Sequence, residues 1–115
     1  MSMITKTAET LDEGVANMMA GAKDDYSKWT SGGDYMKKQL ELWDSNTKIS
    51  TGKKYIKVVR DNGVFAFIVK EDFKHFKKGD VLKPASYNTP ALNSARGNVL
   101  TGNYSIKWTG PLYLR

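Results

Sequence analysis

The sequence predicts an α+β fold: an N-terminal helix or helix pair packed on a small antiparallel sheet built around a β-hairpin. Apolar residues in the first thirty positions recur at helical spacing, and the period changes to two after residue 46. Asp61, Asn62 and Gly63 then separate two runs of strand-forming residues. The 115 residues suit one domain with a modest core, divided into a helical part, 1–46, and a β-rich part, 47–115.

Ile4, Ala8, Leu11, Val15, Met18, Ala22, Tyr26 and Trp29 follow one another at intervals of three or four, one face of a helix with a near-heptad repeat. Thr5 or Thr7 is the expected cap, and Glu9, Asp12 and Glu13 fall in the early turns, where the helix dipole favours anions. Gly14 and Gly21 each cost about 1 kcal/mol relative to alanine, so this helix needs a partner. The partner is the chain's own sheet, or a second copy in a homodimer through the helix. Met18 and Met19, in the middle of the stripe, suit either.

Ser31, Gly32 and Gly33 stop the first helix and Asp34 is placed to cap a second, in which Met36, Leu40 and Trp43 fall at i, i+4 and i+7. Asp44, Ser45 and Asn46 end it. Thr47 to Ser50 reads as a short strand, Thr51 and Gly52 as a turn, and Lys54 to Arg60 as a full strand. Asn62 and Gly63 predict a type I′ turn, which would pair Arg60 with Phe65, Val58 with Phe67 and Ile56 with Val69. That register gathers Ile56, Val58, Phe65, Phe67 and Val69 on a core face. The opposite face, with Tyr55, Lys57, Val59, Val64, Ala66 and Ile68, is also largely apolar, so both faces are expected to be covered.

Lys70 to Lys78 is a charged connection in which Phe73 and Phe76 are expected to pin a helical turn. Val81 to Lys83 reads as a third strand closed by Pro84. Pro90 to Arg96 predicts a short helical turn capped by Thr89 and stopped by Gly97. Val99 to Thr101, Ser105 to Trp108 and Leu112 to Leu114 are short apolar runs suited to edge strands or a wrapping tail.

The composition restricts the chemistry. There is no cysteine, so disulfides, thiolate catalysis and cysteine-ligated metals are excluded. The single histidine, His75, sits among lysines, which leaves no histidine cluster for a metal or an acid–base pair. Ser86, Ser94 and Ser105 have no evident partner base, and Asp61 and Asp80 flank turns, where carboxylates bond local backbone. No phosphate-cradling glycine motif is present. The expectation is a protein that is not an enzyme and uses no cofactor or metal. There is also no apolar run long enough to span a membrane and no signal-peptide pattern at the N-terminus.

Charge is distributed unevenly. Residues 1–49 carry six lysines against eight acids, net −2, and residues 50–115 carry twelve Lys and Arg against four acids, net +8. Such asymmetry suits an anionic partner, a nucleic acid or an acidic protein surface, or else a solubilising surface. Lys54, Lys57, Arg60, Lys70, Lys74, Lys77, Lys78 and Lys83 come from the hairpin and its connection, interleaved with Tyr55, Phe73, Phe76 and Tyr87. Cations alternating with aromatics are what single-stranded nucleic acid requires, phosphate on the one and base on the other. The residues singled out for binding are Lys54, Tyr55, Lys57, Lys83, Ser86, Tyr87 and Arg96.

The C-terminal half also carries an ordered series of short motifs: Lys54, Tyr55 and Lys57; Phe67 and Ile68; Gly79 to Lys83 with Ala85 and Ser86; Pro90 and Ala91; Arg96 to Asn98; and Gly110, Pro111, Tyr113 and Leu114. Over about residues 53–115 it resembles a family of small proteins of tailed, often marine, bacteriophages. Tyr87 stands where that pattern has tryptophan, and Leu92 where it often has lysine. The family has no established activity, so the resemblance implies viral origin and residence in the host cytoplasm or the virion. Two functions fit: a basic module that binds nucleic acid, and a protein-interaction role as a virion component or as a phage factor docking on a host protein.

Overall fold

The chain begins with a strand, and the helix follows it. The computed structural model describes residues 2–29, 33–60, 63–92, 94–107 and 110–111. β1 (Ser2–Ile4) precedes α1 (Leu11–Trp29) and α2 (Asp34–Glu41), followed by β2 (Thr47–Thr51), β3 (Tyr55–Arg60), β4 (Gly63–Val69), β5 (Val81–Leu82), β6 (Tyr104–Lys107) and β7 (Gly110–Pro111). A three-stranded sheet has the order β1-β6-β7 and a four-stranded sheet the order β2-β3-β4-β5, both antiparallel. The fold is α+β, with the helical part packed on antiparallel sheets. The expected apolar run Leu112 to Leu114 lies outside the described residues.

Ile4 fits the helical period but pairs with Tyr104, so the N-terminal segment belongs to the three-stranded sheet and the helix starts at Leu11. Its cap is Thr10, whose Oγ accepts the Glu13 backbone N–H at 3.1 Å, and not Thr5 or Thr7. Val15, Met18, Met19, Ala22 and Tyr26 are buried against Ile4 and Ile106 of one sheet and Ile56, Val58, Ala66, Ile68 and Val81 of the other. Burial of each large apolar side chain is worth about 1.5–3 kcal/mol, which is where the helix obtains its stability. The stripe is thus covered by the chain's own sheets, and a homodimer could use it only by opening this core.

The two helix glycines mark close approaches. A Cβ on Gly14 would stand 2.6 Å from the Val99 carbonyl oxygen, and one on Gly21 would collide with the Ile4 side chain. Gly33, and not Asp34, occupies the cap position of α2, and Trp43 lies just past its end, buried against Tyr26 at 5.7 Å between ring centroids.

The hairpin register departs from the I′ expectation. Arg60 pairs with Gly63 and Val59 with Val64; beyond a bulge, Val58 pairs with Ala66, Lys57 with Phe67, Ile56 with Ile68 and Tyr55 with Val69. Asn62, half of the expected turn, lies outside the described residues. The extra residue, Phe65, turns into the main core, while Phe67 and Val69 face away from it. These two form a second, smaller core with Leu82 and Phe76, edged by Tyr55, Val64, Phe73 and Ala95. Both faces of the hairpin are therefore covered.

Two further expectations are corrected. Phe73 and Phe76 exchange both backbone hydrogen bonds, 3.1 and 2.9 Å, in a tight turn with Lys74 at φ 52°, so the connection reverses without a helical turn. Among the described residues of 90–97 there is no helical turn either. Pro90 bridges Pro84, the Ala91 N–H bonds the Lys83 carbonyl at 2.8 Å, and the Arg96 N–H bonds the Val81 carbonyl at 2.8 Å. Backbone pairing to β5 and its flank takes the donors that a helix would have used.

Candidate functional site

Along β3, side chains alternate between the two cores, and Tyr55 and Lys57 share the second face. Tyr55 is anchored there, edge-on to Phe67 at 5.8 Å and to Phe73 at 5.9 Å. Burial raises its phenol above the ordinary value. Its ring is a half-buried wall of the second core. Lys54 lies above that wall, its Nζ 5.8 Å from the Phe73 ring centre.

Lys57 reaches further. Its Nζ stands 3.6 Å over the Tyr87 ring and 3.3 Å from Asn88 Oδ1. The loop that carries Tyr87 is closed at its neck by the Pro84–Pro90 bridge. Above the neck the Thr89 carbonyl accepts the N–H groups of Ala85 and Ser86, at 2.9 and 3.1 Å. The hydroxyls of Ser86 and Thr89 meet at 2.7 Å, and the Asn88 N–H bonds Ser86 Oγ at 3.4 Å. Ser86 therefore shapes the loop, and Tyr87 at its tip is 55 % exposed. Beside the ring, Val64, Pro84, Ala85, Ser86 and Tyr87 line an open hollow of about 240 Å³.

Lys83 and Arg96 share their field with a residue the sequence did not single out. Burial, then the charges of Arg96 and Lys107, hold the Lys83 ammonium below its ordinary value. Arg96 also bonds the Ser94 carbonyl through Nε at 3.2 Å. The seven candidate residues thus fall into three groups: Lys54 and Tyr55 at the Phe73 wall, Lys57 and Ser86 around Tyr87, and Arg96 beside Lys83. Asn88 and Lys107 were missed; the only sequence signals were adjacency to Tyr87 and a lone cation inside the apolar run of β6.

Other cations have structural duties. The Arg60 guanidinium stacks 3.5 Å over the Trp43 ring, with Nε donating to Thr47 Oγ1 at 3.0 Å. Lys70 Nζ donates to the Gly52 carbonyl at 2.8 Å. Among the described residues there is no group of three or more His, Cys, Asp or Glu placed to hold a metal ion, and no helix is long and apolar enough to cross a membrane.

Fold and site together define a small basic α+β protein that presents one ordered aromatic loop tip beside a cation. The chain matches, over residues 3–114, the model of a family described as a family of unknown function, DUF7717, and it belongs to that family. Neither a curated protein nor a solved structure matches it.

Proposed function

We propose that this protein is a non-enzymatic binding module that takes single-stranded nucleic acid at the Lys57–Tyr87 corner, beside the second core. The observation that carries the reading is the Lys57–Tyr87 pair: an exposed ring held on a stapled loop with an ammonium 3.6 Å away. A ring offers a base its stacking surface and an adjacent cation offers the strand its phosphate partner. The charge of +8 on residues 50–115 supplies the long-range attraction that such binding needs. The likeness to small phage proteins makes an infected bacterium the natural setting. Fluorescence anisotropy of a labelled single-stranded oligonucleotide tests it: binding at low salt that weakens steeply with added salt is expected, and no binding at low salt would sink the reading.

One observation favours the alternative role in protein interaction. β2 is an edge strand with Ile49 52 % exposed, the kind of open edge to which another chain's strand can add. Copurification with virion or host proteins that is lost in Ile49→Lys would support that role.

A further inference from the structure

We propose that the hollow beside Tyr87 accepts a single nucleobase, so that the protein holds one unstacked nucleotide of a strand. This rests on the nucleic-acid reading above and sharpens it to a unit of recognition. Size is the first argument. About 240 Å³ is smaller than the roughly 300–1,000 Å³ of sites for drug-sized ligands, and suits one planar ring system in place of a run of stacked ones.

The walls give the second argument. Tyr87 contributes an aromatic ring, and Val64, Pro84 and Ala85 contribute apolar surface. Among the described lining residues, the only side-chain polar group apart from the Tyr87 phenol is the Ser86 hydroxyl, which is already engaged with Thr89 at 2.7 Å. A base would therefore be held by stacking and by apolar contact, with little reading of its edge. A base inside a duplex cannot present its face to such a ring, which restricts the ligand to a single strand or an extruded nucleotide.

Preorganisation gives the third. The Pro84–Pro90 bridge and the bonds to the Thr89 carbonyl hold the loop before any ligand arrives, so little ordering is left to oppose binding. Lys57, poised over the same ring, is in place for a phosphate attached to the bound base.

The test compares two labelled oligonucleotides of equal length and phosphate number at low salt, one an oligothymidylate and the other abasic throughout. The base-containing strand is expected to bind about 5- to 140-fold more tightly, the range that one stacked base supplies. Tyr87→Trp should keep that difference and Tyr87→Ala should abolish it, with thermal melting of both variants unchanged. Equal affinity for the two strands in the unaltered protein would overturn the base site while leaving nucleic-acid binding standing. Absence of binding to either strand at low salt would remove both.

Discussion

The side-chain amide of Asn98 donates 2.9 Å bonds to both Asp80 Oδ1 and the Lys78 carbonyl, tying together segments that lie far apart along the chain. The same amide's oxygen accepts the N–H groups of Leu100 and Thr101, and Asp80 Oδ2 accepts that of Lys77. Asp80 is buried, so its two bonds, from Asn98 and from the Lys77 N–H, replace water that the carboxylate has lost. Asn98→Ala leaves a buried carboxylate oxygen and three backbone groups, the Lys78 carbonyl and the Leu100 and Thr101 N–H groups, short of partners, and unfolding in denaturant should show a loss of about 2–4 kcal/mol. Asn98→Asp should be no better, because it sets a second carboxylate against the first. A loss within about 0.5 kcal/mol in either variant would show that the corner from Gly79 to Leu100 is held by something else.

The bulged register makes a prediction that the I′ turn does not. Gly63 begins β4 with no positive φ, and a methyl added there would meet no atom within 4 Å, so Gly63→Ala should stabilise by about 0.4–1 kcal/mol through the unfolded chain. In an I′ turn the same change would destabilise, because that position needs φ above zero. Thermal melting decides between them by sign alone.

A helix glycine should behave in the opposite way. Gly14→Ala improves helix propensity by about 1 kcal/mol, yet its methyl would press to 2.6 Å from the Val99 carbonyl oxygen and 2.8 Å from the Val99 Cβ. Backbone cannot move aside as a flexible side chain can, and overpacking of this kind costs about 1–3 kcal/mol. A net loss of stability is expected on melting. A gain would mean that α1 rides further from the Val99 segment.

The helical stripe from Val15 to Tyr26 and the strands of the hairpin were legible because each is set by its own periodicity. Ile4 was not, since its strand exists only through pairing with Tyr104, near the other end of the chain. The register was hidden for a different reason: both faces of β4 are apolar, so alternation cannot show on which side Phe65 falls, and a bulge leaves no compositional mark. Helical capping signals at Thr89 and Pro90 lost to backbone pairing with the Lys83 and Val81 carbonyls. At the site, Lys57 and Tyr87 could be chosen as residues, but their meeting depends on how the loop folds over the sheet. The same holds for Lys107 beside Lys83.

Tyr104 sets an alkaline limit. Its hydroxyl is buried without a hydrogen-bond partner among the described residues, and burial holds its phenol well above the ordinary 10.0. The unfolded chain therefore releases this proton first, and stability falls as pH rises above about 10. Tyr55, raised by the same cause, adds to the fall. Lys83 acts with the opposite sign: its ammonium, disfavoured by burial and by Arg96 and Lys107, weighs against the fold at neutral pH, a cost relieved as pH climbs to 10.5. Above about 10 the tyrosines outweigh it, because the displacement at Tyr104 is large. Tyr104→Phe should stabilise by about 1–2 kcal/mol at neutral pH and make the alkaline fall shallower. Denaturant melts across this pH range check both parts, and a destabilised variant would point to a bond made by the hydroxyl.

Lys57 and Arg60 look interchangeable as basic strand residues, but their surroundings separate them. Lys57 sits half-buried beside the exposed ring of Tyr87, where its charge is available to a phosphate. Arg60 is committed to the Trp43 face and to Thr47, joining the hairpin to the end of α2. Lys57→Gln should therefore lower the slope of log affinity against log salt by about 0.7, one phosphate's share on a single strand, while changing stability by no more than about 1 kcal/mol. Arg60→Gln should leave that slope unchanged and weaken the fold by about 1–3 kcal/mol, as a half-buried cation–aromatic and hydrogen-bonded contact is lost. Salt titrations of oligonucleotide affinity, read beside thermal melts, give both quantities. Equal reductions of the slope by the two variants would mean that the strand meets a diffuse positive surface and not the Lys57–Tyr87 corner.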